Sequence, residues 1–445
     1  MTVSEALSQD KAKVIILSAF GRGHWLATEL ILLGLEVTLV DVTDSMGLWA
    51  PEDWEGPHGY FKTDKLLESQ KVSLSEEDTE EEIPQGFSVW LKTGPFDMRS
   101  SQSEHALRQR EVDPVVQDYL LRYLDLKPRE RLEAVKKIAE IPFAKSWLAH
   151  MAHALGSTQD AESTEAIHFG QPLPIFSPYF IRRASRRGLS QSLERLQDLG
   201  IRVLRKVKLK DLSHMNQSLL NIEISSEEWS GVIAADQFVW MLSSQETSAL
   251  SNRALEVLYS GKTSSPVWCW SRYTFELDHD YAYQTMPTQF LFVSDLALWW
   301  SGSNVQLVQK SQTKNRFDVW LKVPSAHRFQ KNYMEELAQQ VKSVWESRVP
   351  NANFKLIDYP QEYRYSESEL GPSRHPVFDS QDLKKIKRKS FKNIHYDGPE
   401  LWESYDRTER FSASGNILTR LRAWKLEYDK EQEKLRAKRL SEMQQ

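Results

Sequence analysis

The pattern of apolar residues is clearest near the start of the sequence, where two continuous apolar runs flank a helical stretch. Val14 to Leu17 and Val37 to Val40 lack the alternation of a half-exposed strand, which is typical of parallel strands buried on both faces. The segment between them, from Trp25 to Leu33, is apolar enough to pack as a helix on a sheet. The pattern therefore predicts a β-α-β unit.

Later segments predict further helices and strands. Residues 112–154 have a helical pattern, and GLSQSLERLQDLGIRVLRKVKLKDL predicts a helix, Gly200 and then a strand. NIEISSEEWSGVIAADQFVWMLSS predicts a hairpin-like pair that ends in an apolar run. Residues 266–321 are rich in β-formers and aromatics, and MEELAQQVKSVWESRV predicts an amphipathic helix. After FKNIHYDGPE and a loop, a long charged helix is expected from about Ser414 onward.

Composition places the chain among ordinary globular proteins. It has 445 residues, of which 40% are hydrophobic and 27% charged, with a net charge of -5. These values give no reason to expect a nucleic-acid partner. No apolar stretch is long enough for a transmembrane segment, and the N-terminus lacks a signal peptide's apolar core. The single cysteine, Cys269, excludes an internal disulfide, so we expect a cytoplasmic protein.

Three separated segments together resemble the superfamily of FAD-dependent amine oxidases, protoporphyrinogen oxidases and phytoene desaturases. The first is the β-α-β unit, in which Asp41 stands for the acid that binds the adenosine ribose. In the second, around GIRVLRKVKLKDL and AADQFVWMLSS, the resemblance implies that Val207 lies beside the adenine. The third, FKNIHYDGPE followed by SASGNILTRL, is similar to the family's flavin-facing segment. Order and spacing agree over roughly the whole chain.

The dinucleotide turn departs from the family's G-x-G-x-x-G motif. Ser18 and Phe20 replace its first two glycines, and Gly23 is the third. Because a pyrophosphate meets bare backbone at this turn, the Phe20 side chain is expected to occupy the phosphate's space. Gly23 is expected to allow close packing of helix on strand. A shifted reading, Gly21-Arg22-Gly23, offers an arginine to phosphate but brings the glycines too close to the ribose acid.

The third segment retains two glycines and loses an acid. The resemblance places Gly398 and Gly415 against the cofactor, with Gly415 at the start of the final helix. Backbone N–H groups and the helix dipole would stabilise a reduced flavin there. Pro399 stands where the family has an acid, and Glu400, one residue later, substitutes for it if the turn is shifted.

The resemblance implies an α/β fold in which a Rossmann-like FAD/NAD(P)-binding domain is interleaved with a mixed-sheet substrate domain. The expected dinucleotide-binding domain comprises residues 1–60, 186–260 and 385–425, and the substrate-type domain comprises residues 61–185 and 261–384. Residues 426–445 form a charged C-terminal helix that projects or packs on a partner. Sustained apolar heptads, which a coiled coil needs, are missing from it.

The leading functional hypothesis is an FAD-dependent oxidoreductase that transfers a hydride from an apolar or amine-bearing small molecule to flavin. The alternative is a non-catalytic, flavin-free descendant of this fold that acts in binding or assembly. Ser18, Phe20 and Pro399 favour the alternative, whereas Asp41 and Gly415 favour the enzyme. A nicotinamide or mononucleotide in the altered turn is a third, weaker possibility. No residue is recognisable as a catalytic base.

Other candidate features have simpler explanations. The aromatic residues Trp268, Trp270, Tyr273, Trp299 and Trp300 could line a substrate cavity, but packing of a sheet is favoured. His150 and His153 share a helix face without a third ligand, which is a weak metal signal, so no metal site is predicted. The basic run at residues 384–392 and the acidic run at residues 73–86 are both expected to be solvated.

Overall fold

A computed structural model describes residues 11–47, 58–61, 88–91, 94–97, 179–182 and 186–443, with short gaps at 228, 261–262, 287–288, 296–297, 299–301, 312, 350–351, 367–368, 372–375 and 403–406. The expected helix at residues 112–154, with its two histidines, and the acidic run at residues 73–86 lie outside the described residues.

The first half of the chain supplies the strands around the predicted β-α-β unit. The elements are β1 (Lys13–Ser18), α1 (His24–Leu32), β2 (Glu36–Asp41), β3 (His58–Phe61), β4 (Ser88–Leu91), β5 (Gly94–Asp97), β6 (Tyr179–Arg182), α2 (Arg186–Asp198), β7 (Arg202–Leu204), β8 (Lys208–Met215), β9 (Ser218–Ser225), β10 (Ser230–Ala234), β11 (Gln237–Trp240), α3 (Ser244–Leu250), α4 (Asn252–Leu258) and β12 (Tyr259–Ser260). The β-α-β prediction is confirmed to within one or two residues at each element.

The second half begins with long strands and ends with a long helix. The elements are β13 (Pro266–Leu277), α5 (Asp280–Thr285), β14 (Gln289–Val293), β15 (Val305–Lys310), β16 (Arg316–Pro324), α6 (Lys331–Arg348), β17 (Phe354–Asp358), β18 (Val377–Phe378), α7 (Ser380–Leu383), β19 (Lys387–Arg388), β20 (Ile394–Tyr396) and α8 (Arg407–Met443). The β-rich region and the amphipathic helix α6 agree with the sequence prediction. The last helix starts at Arg407, seven residues before the expected Ser414.

A parallel sheet contains the predicted β-α-β unit and has the strand order β20-β11-β1-β2-β7. Every neighbouring pair in it is parallel. Ser18 at the end of β1 lies opposite Asp41 at the end of β2. Because all carboxyl ends of a parallel sheet share one edge, the turns after these strands converge there, which is where such folds bind ligands. The sheet draws strands from all three predicted dinucleotide-binding segments, although their boundaries stay predictions.

Apolar clusters cover both faces of this sheet, as its continuous apolar strands require. On one face, α1, α2 and the first turns of α8 pack around Ile16, Leu39 and Leu421. On the other face, Ile15 and Val40 join residues of β8, β9 and α4 in a second cluster. Strands β8, β9 and β10 form a separate antiparallel sheet.

A mixed sheet of eight strands forms the second body of the fold, in the order β17-β13-β16-β15-β14-β4-β5, with β18 also paired to β13. One face packs against α6 through a cluster that includes Tyr273, Phe317 and Trp345. Tyr273 is fully buried in this cluster, so it packs a sheet on a helix, as favoured from the sequence. Trp299 and Trp300 lie outside the described residues. Within the described part of the chain, no helix is both long and apolar enough to cross a membrane.

Candidate functional site

The turn after β1 satisfies its backbone donors with protein groups. The N–H of Phe20 donates to the hydroxyl of Thr43 at 2.8 Å, and the N–H of Gly23 donates to the hydroxyl of Ser18 at 2.8 Å. In a dinucleotide-binding turn, backbone donors of this kind face the pyrophosphate. Here two of these donors are already occupied by acceptors within the protein.

Phe20 keeps a glycine-like backbone conformation while carrying a large side chain. Its φ is +56°, in the left-handed region that favours glycine. The ring is 1% exposed and belongs to the same apolar cluster as Val207, the residue expected beside the adenine. Val207 is equally buried. The two positions assigned to the cofactor are therefore core residues here.

Arg22 forms a buried ion pair across the site. Its Nη1 lies 2.7 Å from both carboxylate oxygens of Glu246, and the two side chains are 2% and 1% exposed. The guanidinium also lies 5.2 Å from the ring centroid of Phe20 and 5.6 Å from that of Trp402, which is within range of cation–π attraction. The sequence suggested that Arg22 contacts phosphate; its anionic partner is instead a carboxylate of the protein.

Glu246 is held by the start of α3. Its Oε2 accepts from the N–H of Ser243 at 2.7 Å, and the Ser243 hydroxyl accepts from the N–H of Glu246, so the two form a capping box. The sequence Ser-x-x-Glu at 243–246 carries this signature. It could have revealed the helix start, but no local signal links Glu246 to Arg22, 224 positions earlier.

The glycines of the turn have steric roles. A Cβ on Gly23 would lie 3.0 Å from Ile16 Cγ2 and 3.0 Å from Ser18 Cβ. This geometry is consistent with the expected helix–strand packing. Gly21 has a φ of +74°, and a Cβ there would lie 3.3 Å from Leu189 of α2.

Asp41 has one carboxylate oxygen that can accept a further hydrogen bond. It is 2% exposed, and its Oδ1 accepts from the N–H of Thr43 at 3.1 Å. Among the described residues, Oδ2 has no hydrogen-bond partner, and His24 Nε2 lies 4.0 Å away. The other ring nitrogen of His24 bonds Ser192 Oγ at 2.6 Å. Burial raises the pKa of Asp41 from 3.8 to about 6.

The segment after β20 is also closed by internal contacts. Gly398 has a φ of +133°, and a Cβ there would lie 3.3 Å from the backbone of Leu242. Asp397 accepts hydrogen bonds from Trp402 Nε1 and from Ser414 Oγ. These contacts tie the end of β20 to α8.

Both oxygens of Glu400 have protein partners. Oε1 accepts from the N–H of Ser244 at 2.7 Å and from the hydroxyls of Ser244 and Ser264. Oε2 pairs with Arg388 at 3.1 Å, and the Glu400 side chain is 1% exposed. The acid that was expected to replace Pro399 in contacting the cofactor is therefore engaged within the protein.

Gly415 requires a correction. It lies inside α8, because residues 407–414 are already helical, so its N–H is not at an open helix start. Its carbonyl accepts from Thr419 Oγ1 within the helix. The predicted role of a helix N-terminus at this glycine is wrong, since α8 begins two turns earlier.

Phosphate chemistry does not fit this arrangement. The turn donors are bonded internally, Phe20 fills the position of a bare backbone, and Arg22 and Glu400 are paired with protein groups. Oδ2 of Asp41 keeps an acceptor suited to a ribose hydroxyl. Within the described residues no group of three or more His, Cys, Asp or Glu side chains could hold a metal ion. The cofactor roles of the predicted residues stay predictions.

Comparisons with known proteins agree on the fold. No protein-family profile matches the sequence, and a search of curated proteins gives no significant match. Among solved structures, an oxidoreductase from Methanosarcina mazei is similar with a TM-score of 0.58 and 11% identity, covering 92% of this chain and all of that one. Wild-type putrescine oxidase bound to putrescine is similar with a TM-score of 0.56 and 11% identity, covering 93% of this chain and 99% of that one.

At this identity the likeness concerns the fold. Both structures are matched over nearly their whole length, so the likeness includes the parallel sheet and the mixed sheet together. The predicted fold class is confirmed: the chain has the Rossmann-like fold of FAD-binding oxidoreductases, interleaved with a mixed-sheet body as in flavin amine oxidases.

Proposed function

We propose that this chain keeps the flavoprotein fold without binding FAD at the dinucleotide turn, and that it acts in binding or assembly. The observation that carries the proposal is the Arg22–Glu246 ion pair, enclosed by the rings of Phe20 and Trp402. The Glu246 carboxylate supplies, next to the turn, the negative charge that a pyrophosphate would bring. A permanent protein anion in this place removes the electrostatic need for the cofactor.

The energetics of the ion pair support this proposal. A phosphate would have to compete with a carboxylate whose two oxygens both contact Arg22 and which also caps α3. Releasing Arg22 would leave Glu246 buried without its counter-charge, which costs about 3–5 kcal/mol in proteins. Displacement of the Phe20 ring from its cluster would add a further cost of the same order, roughly 3 kcal/mol.

A second candidate is an FAD-dependent oxidoreductase that transfers a hydride from an apolar or amine-bearing small molecule. It is supported by the fold likeness to oxidoreductases and by the open Oδ2 of Asp41. In this case Asp41 would hold the adenosine ribose and Val207 would flank the adenine. The flavin would supply the redox chemistry, and the protein would orient the substrate and exclude water.

A visible absorption spectrum of the purified protein, followed by titration with FAD, separates the two candidates. We expect a colourless protein that does not take up added FAD. Phe20→Gly removes the ring but keeps a backbone that glycine tolerates, and it should raise any weak FAD affinity. Asp41→Ala should lower such affinity by roughly 1.5–3 kcal/mol, the value of a charged hydrogen bond.

A variant that removes a buried ring elsewhere in the core controls for a general loss of stability. Phe275→Ala removes a fully buried ring from the cluster under α6, so it should leave FAD uptake unchanged. A bound flavin released by heat from the wild-type protein would establish the oxidoreductase and reject the flavin-free proposal. Uptake by Phe20→Gly alone would support the proposal, because it would show that Phe20 is the obstacle.

A further inference from the structure

The last helix, α8, extends well beyond the body of the protein. Its first turns pack on α1 and α2 through Ile417, Leu418 and Leu421, and Tyr428 is the last aromatic residue in contact with that cluster. The following 15 residues, 429–443, span about 22 Å at 1.5 Å per residue. On this part of the helix Leu435 is 47% exposed and Leu440 is 36% exposed.

Charges along the projecting segment are separated by sign. Residues 427–433 contain four acids and one base, and residues 434–439 contain four bases and no acid. The acids are Glu427, Asp429, Glu431 and Glu433, and the bases that follow are Lys434, Arg436, Lys438 and Arg439. Except for partly exposed Asp429 and Arg436, all are exposed. The segment is thus an acidic half followed by a basic half.

This order of charges is unfavourable for a helix alone in solvent. Glu427 and Glu431 are four residues apart, as are Lys434 and Lys438, and like charges at this spacing repel. Two ion pairs within the segment, Lys425–Asp429 at 2.6 Å and Lys438–Glu442 at 3.9 Å, offset this repulsion in part.

The helix dipole can account for the position of the basic half but not for that of the acidic half. Bases near a helix C-terminus interact favourably with the dipole, but the effect falls off within a turn of the helix end. The acidic half begins 20 residues after Arg407, the first residue of α8. Its acids are therefore too far from the helix start to gain from the dipole.

We propose that the projecting part of α8 pairs antiparallel with the same segment of a second copy of this chain. In an antiparallel pair the acidic half of each copy lies along the basic half of the other. Glu427, Glu431, Lys434 and Lys438 are three or four residues apart, so they form one stripe along the helix. Residues of this stripe whose numbers sum to 865 then face each other, which matches Glu431 with Lys434 and Glu427 with Lys438. A parallel pair would oppose like charges, so the sequence selects the antiparallel arrangement.

Polar contacts dominate this pairing, because the segment has no sustained apolar heptads. The interaction is independent of whether the chain binds a flavin.

The test uses full-length protein and sedimentation equilibrium from about 1 µM to about 0.5 mM, a range that covers moderate and weak complexes. We expect a monomer–dimer equilibrium that shifts toward monomer in 1 M salt, where the Debye length falls to about 3 Å. One variant carries Glu427→Lys and Glu431→Lys, and a second carries Lys434→Glu and Lys438→Glu. Each alone should dimerise at least tenfold more weakly than the wild type.

The decisive measurement mixes the two variants. One has four lysines on the contact stripe and the other has four glutamates there, so the mixture should form a heterodimer at least as tightly as the wild type forms its homodimer. The control, Lys208→Glu with Lys210→Glu on the exposed face of β8, should behave as wild type. Circular dichroism checks that helix content is kept.

Three results would overturn the pairing. A wild-type monomer over the whole concentration range is the first, and a dimer unaffected by both double variants is the second. The third is a mixture of the variants that stays monomeric although both have kept their helix content.

Discussion

Two buried carboxylates, Glu246 and Asp41, lie near the same edge of the parallel sheet and have opposite surroundings. Glu246 has an arginine against both oxygens and a backbone N–H from its own helix cap. Asp41 has a single backbone donor, and a histidine nitrogen 4.0 Å from its second oxygen. Both oxygens of Glu246 are bonded to protein groups, whereas Oδ2 of Asp41 can accept a further hydrogen bond.

The two acids therefore differ in how far protein groups satisfy their oxygens. The groups around Glu246, namely Phe20, Arg22 and Trp402, come from distant parts of the chain. Asp41 lies at the end of β2, where strand geometry fixes its position. It is buried, and among the described residues its Oδ2 has no hydrogen-bond partner.

The largest expected effect concerns Glu246, the carboxylate that is paired with Arg22. Arg22→Met should lower the free energy of unfolding by about 3–5 kcal/mol, because it leaves the Glu246 charge buried without a counter-charge. Combining it with Glu246→Gln should recover at least half of this loss, since the buried charge is removed. Urea unfolding followed by circular dichroism measures both.

Arg253→Met is the matched control, because it breaks an ion pair with Asp211 in which both side chains are at least half exposed. It should change stability little. If Arg22→Met were equally mild, the enclosed ion pair would not be what holds the turn closed.

An intermediate effect, which depends on pH, tests Asp41. Because burial raises its pKa from 3.8 to about 6, the folded state holds the proton more tightly than the unfolded state. This contribution to stability is fully present below pH 3.8 and is lost as the pH rises through 6. Asp41→Asn should therefore gain up to about 3 kcal/mol over the wild type at pH 8 and much less at pH 4.

Glu362 is the comparison residue for this measurement. Burial raises its pKa from 4.5 to about 6 as well. Glu362→Gln should therefore also reduce the change in the free energy of unfolding over this pH range, although the residue lies in a separate part of the fold. The double variant should lose most of the pH dependence between 4 and 6. An Asp41→Asn gain of the same size at pH 4 and pH 8 would contradict the assignment to this carboxyl.

The smallest effects compare two glycines assigned to the cofactor. Gly23→Ala should destabilise by about 1–3 kcal/mol, because its Cβ would lie 3.0 Å from Ile16 and Ser18. Gly415→Ala should stabilise by about 0.5–1 kcal/mol, because Gly415 lies inside a helix with nothing within 4 Å of an added Cβ. Thermal unfolding of both variants measures the opposite signs, and a destabilised Gly415→Ala would argue for a special role at that position.

The sequence by itself determined the elements that depend on local pattern. Continuous apolar runs predicted β1 and β2, the apolar segment from Trp25 to Leu33 predicted α1, and an amphipathic pattern predicted α6. These features depend on neighbours in the chain, so a single sequence reveals them. The start of α8 was misplaced because helix propensity across residues 407–414 outweighed the single Gly415.

Only the tertiary structure decided which charged groups meet at this edge of the sheet. Arg22 and Glu246 are 224 positions apart, and Ser244 and Glu400 are 156 apart; no local pattern encodes which charges will meet. Their pairing follows from the parallel sheet, which brings the turns after β1, β11 and β20 to one edge. The motif shows Ser18 and Phe20 in place of glycine, but only the packed arrangement shows that Arg22 and Glu400 are paired with charged groups of the protein.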